Sequence, residues 1–491
     1  MSNRDKPSKI HKMRERFDAQ LRIGSTPISE IRIPLNSRDE FPPYLRAVQE
    51  IYNNSEISTV IFDLVEKAVC KKDSKNGRPG MNLWTIFVLA GARMCLGTDY
   101  DRLHYLANSD SLLRKMIGYC DAFIDDDDIS LQTIKDNVTL LNDETLKGIN
   151  DVIVKMGYGV FKKKETVPLR VKIDSYVLES NVHFPTDHNL LLDSGRKSLD
   201  MIGKLLINEP MLDGWRKINS WRKEIKNKQL ILSRACASTG KGKEERVEKA
   251  TNAYLEAARN LAQKIETFVM KTEFNYAKQE SILLNLCYFH SMMIKHIDLV
   301  YRRLILKEQI PASEKIYSIF ETYTEWITKG KMRPSVELGK RLNITTDQFH
   351  LIIDWEISNH KADVDMLLPL VDRLIVKFLI QSLSADKGYF KKEYKELVSL
   401  FIPVVVIPKK GKLSVSEKEI ESEPLFCKTR HQHSAIESNI NELEHRGLNR
   451  CKDKKYEGFE KYVGIGVIAY NLKRIGEHLL EQDRCAEKKS A

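Results

Sequence analysis

Pro168-Leu169-Arg170-Val171-Lys172-Ile173-Asp174-Ser175-Tyr176-Val177 alternates apolar and polar residues and is rich in β-branched and aromatic types. That period-two pattern predicts a strand, and it marks the point where the texture of the chain changes. Upstream, from about 44 to 157, helical periodicity dominates. Trp84, Phe87, Val88, Ala90, Gly91 and Met94 form one apolar stripe, and Leu112, Leu113, Met116 and Ile117 form another. Gly77, Arg78, Pro79 and Gly80 punctuate the start of the first of these helices. Downstream, residues 196 to 334 return to helix and include a long Ala-containing stretch, Glu244 to Lys271.

Two strands are expected next, at 336–346 and 350–357, then an amphipathic helix from Val364 to Leu379. A short segment, Ser382 to Ala385, ends at Asp386. A helix over 391–400, a buried strand from Phe401 to Ile407, a polar loop from Lys409 to Glu423 and a final helical region from Ser434 to Gln482 complete the chain. With the helical insertion set aside, the order is a three-strand meander followed by alternating helix and strand, which predicts a mixed α/β layered sheet. The expected division is an N-terminal helical region over 1–165 for DNA binding or dimerisation, a sheet domain over 166–195 and 335–482, and a helical insertion over 196–334.

The composition is that of a folded protein, with 42% hydrophobic and 30% charged residues. The net charge of +11 arises from 79 Lys+Arg against 68 Asp+Glu, so both signs are abundant. This fits a folded protein with a polyanionic partner better than a simple basic tail. None of the eight cysteines forms a C-x-x-C pair, which argues against a zinc ribbon or a thioredoxin-like motif. Scattered single cysteines read as thiols in a reducing compartment. The N-terminus is polar, and the longest apolar runs fall far short of the roughly 20 residues of a membrane span. The expected location is cytoplasmic, associated with the nucleoid. Lys6, Lys9, Lys12, Arg14 and Arg16 suit a DNA-contacting arm or a disordered tail equally. Asp125 to Asp128 precede Ser130, where a helix begins; acidic residues favour helix N-termini, and that reading is preferred to a metal site.

Three acids stand at informative places. Asp174 lies within the first strand, Asp386 ends the fourth and is followed by Gly388, and Glu437 lies on the last helix. If the first and fourth strands are neighbours, their acids meet at one edge, and a helix packed across that edge adds the third. Magnesium prefers carboxylate oxygens and water, and keeps positions open for substrate phosphates. Two ions roughly 3.5–4 Å apart activate an attacking water or 3′-hydroxyl and stabilise the leaving oxygen. Residue physics alone leaves open that these are solvent-facing acids among the 68.

The string Lys172-Ile-Asp174-Ser-Tyr-Val-Leu-Glu-Ser-Asn181-Val-His183-Phe-Pro185-Thr186-Asp187 resembles the first catalytic block of bacterial insertion-sequence transposases of the group called ISNCY. Three further blocks are similar: Phe320 to Lys331 leading to Val336-Glu-Leu-Gly339; Ala385-Asp386-Lys-Gly388-Tyr389; and His433 to Leu448, with Asn471-Leu472 and Gly476 downstream. The likeness spans about 165 to 480, in order. It implies a ribonuclease-H-like catalytic domain with a helical insertion and a DDE triad of Asp174, Asp386 and Glu437. The triad would hold two Mg2+ ions, with Mn2+ as a substitute. Tyr389 and Phe390 depart from the commoner Phe and small polar residue, but they flank the acid rather than replace it. Glu442 and Glu444 are fallback third acids. Glu442 faces away from Glu437, and Glu444 is two turns distant.

Asn181 and His183 follow the first strand and either line the site or belong to a loop held by Pro185 and a Thr186-Asp187 turn. His433 precedes Glu437 by one turn, and Arg430, His431 and His433 suggest a phosphate-binding edge. A zinc site there lacks a second ligand pair. Trp215, Arg216, Lys217, Trp221, Arg222 and Lys223 interleave aromatic and basic residues on one helix. They suit backbone neutralisation with stacking on unpaired bases, or equally a helix that packs its Trp and solvates its cations. Lys329 and Lys331, with Glu325 and Trp326, close the insertion without an assigned role. The implied function is an oligomeric transposase acting on terminal inverted repeats and target DNA. A structure-selective nuclease on the same fold and a domesticated, non-catalytic DNA-binding protein are the rivals.

Overall fold

A computed structural model describes residues 14–17, 25–69, 80–119, 128–208, 214–271, 276–328 and 336–490. The chain forms two compact units, one made of 1–181 with 329–491 and the other of 182–328. The strands are β1 (Leu169–Ser180), β2 (Glu325–Thr328), β3 (Val336–Thr346), β4 (Ile352–Ile357), β5 (Ile380–Ala385), β6 (Val404–Val406) and β7 (Arg450–Cys451). All but β2 belong to the first unit.

In that unit β1 is central. It pairs antiparallel with β3, placing Asp174 opposite Ile344 and Ser175 opposite Asn343, and β3 pairs antiparallel with β4. On its other side β1 pairs parallel with β5, with Ile173 opposite Ala385, and β5 pairs parallel with β6. Once the insertion is set aside this is the expected meander followed by helix–strand alternation, a mixed sheet consistent with a ribonuclease-H-like domain. The sequence alternation of β1 does not become an exposed face. Val171, Ile173, Tyr176, Val177 and Leu178 are all buried, as befits a strand covered on both sides.

Helices precede β1, and their starts carry side-chain caps. Asn82 accepts from the Thr85 amide, Ser130 from Thr133 and Asn142 from Thr145. Ser130 thus begins the Leu131–Val138 helix as expected; of the acidic run before it, residues 125–127 lie outside the described residues. The Leu83–Cys95 helix is buried all round rather than along a stripe, and Trp84 donates its indole N–H to the Met116 carbonyl at 2.7 Å. The long Lys455–Ser490 helix lies against Phe41–Asn53 so closely that a Cβ at Gly476 would fall 1.7 Å from the Pro43 carbonyl oxygen.

Three expectations are corrected. The final helical region is two helices, Ala435–Leu443 and Lys455–Ser490, split by a π-turn and β7. Gly447 takes φ +95° there, and Arg446 turns inward to the Cys95 carbonyl and Glu40. Lys409 to Glu423 is not all loop, because Ser414 and Glu417 form a reciprocal capping box that starts a Val415–Ser422 helix. The apolar run Phe401 to Ile407 supplies only a three-residue strand, and Phe401 itself is 64% exposed.

The second unit is helical: Asp187–Asn208, Ile218–Ala237, Lys243–Lys271 and Tyr276–Leu304 surround a core that includes Leu199, Trp215, Tyr254, Leu261 and Met293.

Candidate active site

Parallel pairing of β1 with β5 is the feature that builds the site. Ile173 stands opposite Ala385, so Asp174 and Asp386 follow paired residues on strands about 4.8 Å apart. Asp174 is partly buried within β1, and its Oδ1 accepts the Ser175 N–H at 2.7 Å. Asp386 is exposed one residue past β5, where the Lys387–Tyr389 turn begins. Glu437 occupies the first turn of Ala435–Leu443, where the helix dipole favours a carboxylate. Its neighbour Ile436 is buried while Glu437 itself is exposed, so the acid faces outward from a fixed helix.

The three acids share one electrostatic environment. Burial pushes the Asp174 carboxyl up to about 7, against the pull of the Ser175 N–H. The charges of Asp386, Asp363 and Glu437 push it further the same way. A partly buried carboxylate ringed by like charge is a site that a cation relieves. Among the described residues, no group of three His, Cys, Asp or Glu side chains is placed to hold a metal ion by itself. Carboxylate oxygens are the donors that a hard divalent cation takes, with water and phosphate oxygens in its other positions. Asp174, on which the charges of Asp386 and Glu437 act, offers the oxygen donors that such an ion takes.

Behind the acids lies a hydrogen-bonded support that residue patterns did not reveal. Tyr389 is buried and donates its hydroxyl to Asn343 Oδ1 at 2.6 Å, and Asn343 Nδ2 donates to Ser358 Oγ at 2.8 Å. The turn after Asp386 is therefore anchored to β3, and the Tyr in place of Phe has a specific partner. The Ser175 hydroxyl donates to Asp363 Oδ1 at 2.8 Å. Asp363 opens the Asp363–Lys377 helix, and an acid at a helix start carries no distinguishing signal in sequence.

The other candidates divide. His433 ends the Pro424–His433 helix, one helix before Glu437. Its Nδ1 lies 3.1 Å from Ser384 Oγ, and burial lowers its pKa against the charge of Asp386. It is a partly buried neighbour of β5, whereas Arg430 is mostly exposed, with Glu421 at 3.8 Å. Glu442 is held by Lys473 at 2.7 Å and Arg446 at 3.2 Å, and Glu444 falls in the π-turn beyond the helix that carries Glu437.

Asn181 is exposed at the end of the first unit. In the second unit the Asp193 carboxylate raises the pKa of His183 through a 2.6 Å contact at Nε2, and Asp187 pairs with Arg303 at 2.8 Å. Base stacking by Trp215 is corrected. The ring is 4% exposed and meets Phe268 edge-to-face, because the apolar core claims it. Trp221 is partly buried, and Lys264 lies over both indoles at 5.0 and 5.4 Å. Arg222 pairs with Asp200 at 2.6 Å, while Arg216, Lys217 and Lys223 are exposed. The exposed aromatics of this unit lie elsewhere, where Trp326 contacts Phe184 and Tyr317. Lys329 and Lys331 lie outside the described residues.

No helix among the described residues is long and apolar enough to cross a membrane. No curated protein and no solved structure matches the chain. A family model described as Transposase DDE domain matches residues 320–472, a span that contains Asp386 and Glu437, and this match supports a DDE transposase.

Proposed function

We propose that this chain is a DDE transposase of the ISNCY-type group that cleaves the ends of its element and joins the freed 3′-hydroxyl to target DNA. The observation that carries the reading is the pairing of Ile173 with Ala385. It sets Asp174, which lies outside the family match, beside Asp386, which lies inside it. Asp174, Asp386 and Glu437 are the catalytic residues and would together hold the cations. Two Mg2+ ions, or Mn2+ in their place, would supply nucleophile activation and neutralise charge on the leaving oxygen.

The protein's own part is to fix the carboxylates on a rigid sheet and one helix, and to leave Asp386 and Glu437 open to a phosphate. In the first step a water oxygen bonds to the scissile phosphorus as its bond to the 3′-oxygen breaks, leaving a 3′-hydroxyl on the element end. In the second, that 3′-oxygen bonds to a target phosphorus and a target 3′-oxygen leaves. Each step exchanges one phosphodiester bond, without a covalent protein–DNA intermediate.

The net charge of +11 supports phosphate binding, with Arg216, Lys217, Lys223, Arg430 and Asn181 as accessible contacts. Region 1–165 is assigned to binding the terminal inverted repeats or to dimerisation within a homo-oligomer acting in the nucleoid. The test is Mg2+-dependent cleavage of DNA carrying the gene's own flanking ends. Cuts at those ends by the wild type, lost in Asp174→Asn, Asp386→Asn and Glu437→Gln, are the expected result. Cutting that ignores the ends would indicate a structure-selective nuclease, and binding without cutting a domesticated protein.

A further inference from the structure

We infer that Asp363 is a positioning residue for the carboxylate pair, tying the strand that carries Asp174 to the turn that carries Asp386. The inference rests on the metal-dependent reading above. Asp363 is partly buried, with 20% of its side chain exposed. Its Oδ1 accepts the Ser175 hydroxyl at 2.8 Å and lies 3.2 Å from Arg341 Nη1. Ser175 is the residue after Asp174, and it also supplies the N–H that Asp174 Oδ1 accepts. Successive strand side chains point to opposite faces, so Asp363 grips β1 from the face opposite Asp174.

The other carboxylate oxygen faces the turn that follows β5. A Cβ built on Gly388 would lie 3.1 Å from Asp363 Oδ2, and Gly388 is two residues beyond Asp386. One carboxylate therefore bonds to the strand that carries Asp174 and packs beside the turn that follows Asp386. Its negative charge adds to an already acidic cluster, and the Arg341 guanidinium offsets it. Arg341 lies on β3, opposite Val177 of β1, so the cluster joins two strands, the turn after β5 and a helix start. Asp365, two residues on in the same first turn, is exposed and serves as the control.

Groups that hydrogen-bond around metal ligands typically change metal affinity by about 10–100-fold when removed. The experiment measures Mn2+ binding to the full chain without DNA, from the loss of the free-ion electron paramagnetic resonance signal, with circular dichroism to establish folding. Asp363→Ala should raise the half-saturating Mn2+ concentration on the order of tenfold. Asp363→Asn, which keeps an oxygen for Ser175 and Arg341, should recover most of that loss, and Asp365→Ala should bind as the wild type does. Ser175→Ala removes the same tie by deleting one hydroxyl, so it should weaken binding in the same direction. Adding it to Asp363→Ala should cause no further loss. Asp174-dependent binding by the wild type together with unchanged binding by folded Asp363→Ala, or by Ser175→Ala where Asp363→Ala does not fold, would overturn the inference alone. A wild type with no Asp174-dependent binding would overturn the metal reading itself, and this inference with it.

Discussion

Replacing Asp174 with Asn should make the cation-free protein more stable, not less. The carboxyl has a pKa of about 7 in the fold against 3.8 for an ordinary Asp, first through burial and then through Asp386, Asp363 and Glu437. Between those values the folded state binds more protons than the unfolded state, so stability falls as pH rises through the window and levels off above it. A shift of roughly three units at 1.36 kcal/mol each sets an upper bound of about 4 kcal/mol on the cost at pH 8. Water reaching the partly buried group lowers this to about 1–3 kcal/mol. Asn keeps the oxygen that accepts the Ser175 N–H and removes only the charge. The assay is urea denaturation in EDTA, from pH 4 to 8.5, for wild type and Asp174→Asn. The variant's advantage should be near zero at pH 4, grow to its full value by about pH 8, and shrink when Mg2+ replaces EDTA. An advantage that is absent at pH 8, or independent of pH, would refute the reasoning.

Tyr389→Phe leaves the buried Asn343 Oδ1 without its donor, and a loss of about 1–3 kcal/mol is expected by denaturation. Gly476→Ala drives a methyl onto the Pro43 carbonyl, so the Lys455–Ser490 and Phe41–Asn53 helices must separate, at a cost of at least about 1–3 kcal/mol in the same measurement. Trp215→Ala should destabilise the helical unit by about 3–5 kcal/mol, as removal of a core indole does. Lys223→Ala should leave stability unchanged, weaken DNA binding and reduce the salt slope by about 1. Binding isotherms at several salt concentrations separate these two outcomes.

The sheet was legible because its strands announce themselves locally. Leu169–Ser180 opens on an apolar–polar alternation, Val336–Thr346 ends on β-branched residues, and Asp386 sits between a short strand and a glycine-bearing turn. The adjacency of β1 and β5 was legible only as a condition, since parallel pairing is decided by packing across more than 200 residues. What local pattern missed follows tertiary demand. Trp215 looks like a surface aromatic among cations until the core of the helical unit claims it. The final helix reads as continuous until Arg446 is drawn inward and Gly447 takes up a positive φ. Ser414 and Glu417 carried a capping-box signature that was readable in sequence and was overlooked. Asp363 had no such signature, because its partners Ser175 and Arg341 lie on strands remote in sequence.

The most direct test of the central claim is strand joining from precleaved ends. DNA ending in the element's own 3′-hydroxyl is mixed with a plasmid target and Mg2+, and joined product is counted for wild type, Asp174→Asn, Asp386→Asn and Glu437→Gln. Joining by the wild type and none by any of the three variants, all of which still bind the ends, is the expected result. Joining that survives in one of them would contradict the assignment of that residue. A wild type that binds the ends but never joins them would contradict the proposed activity.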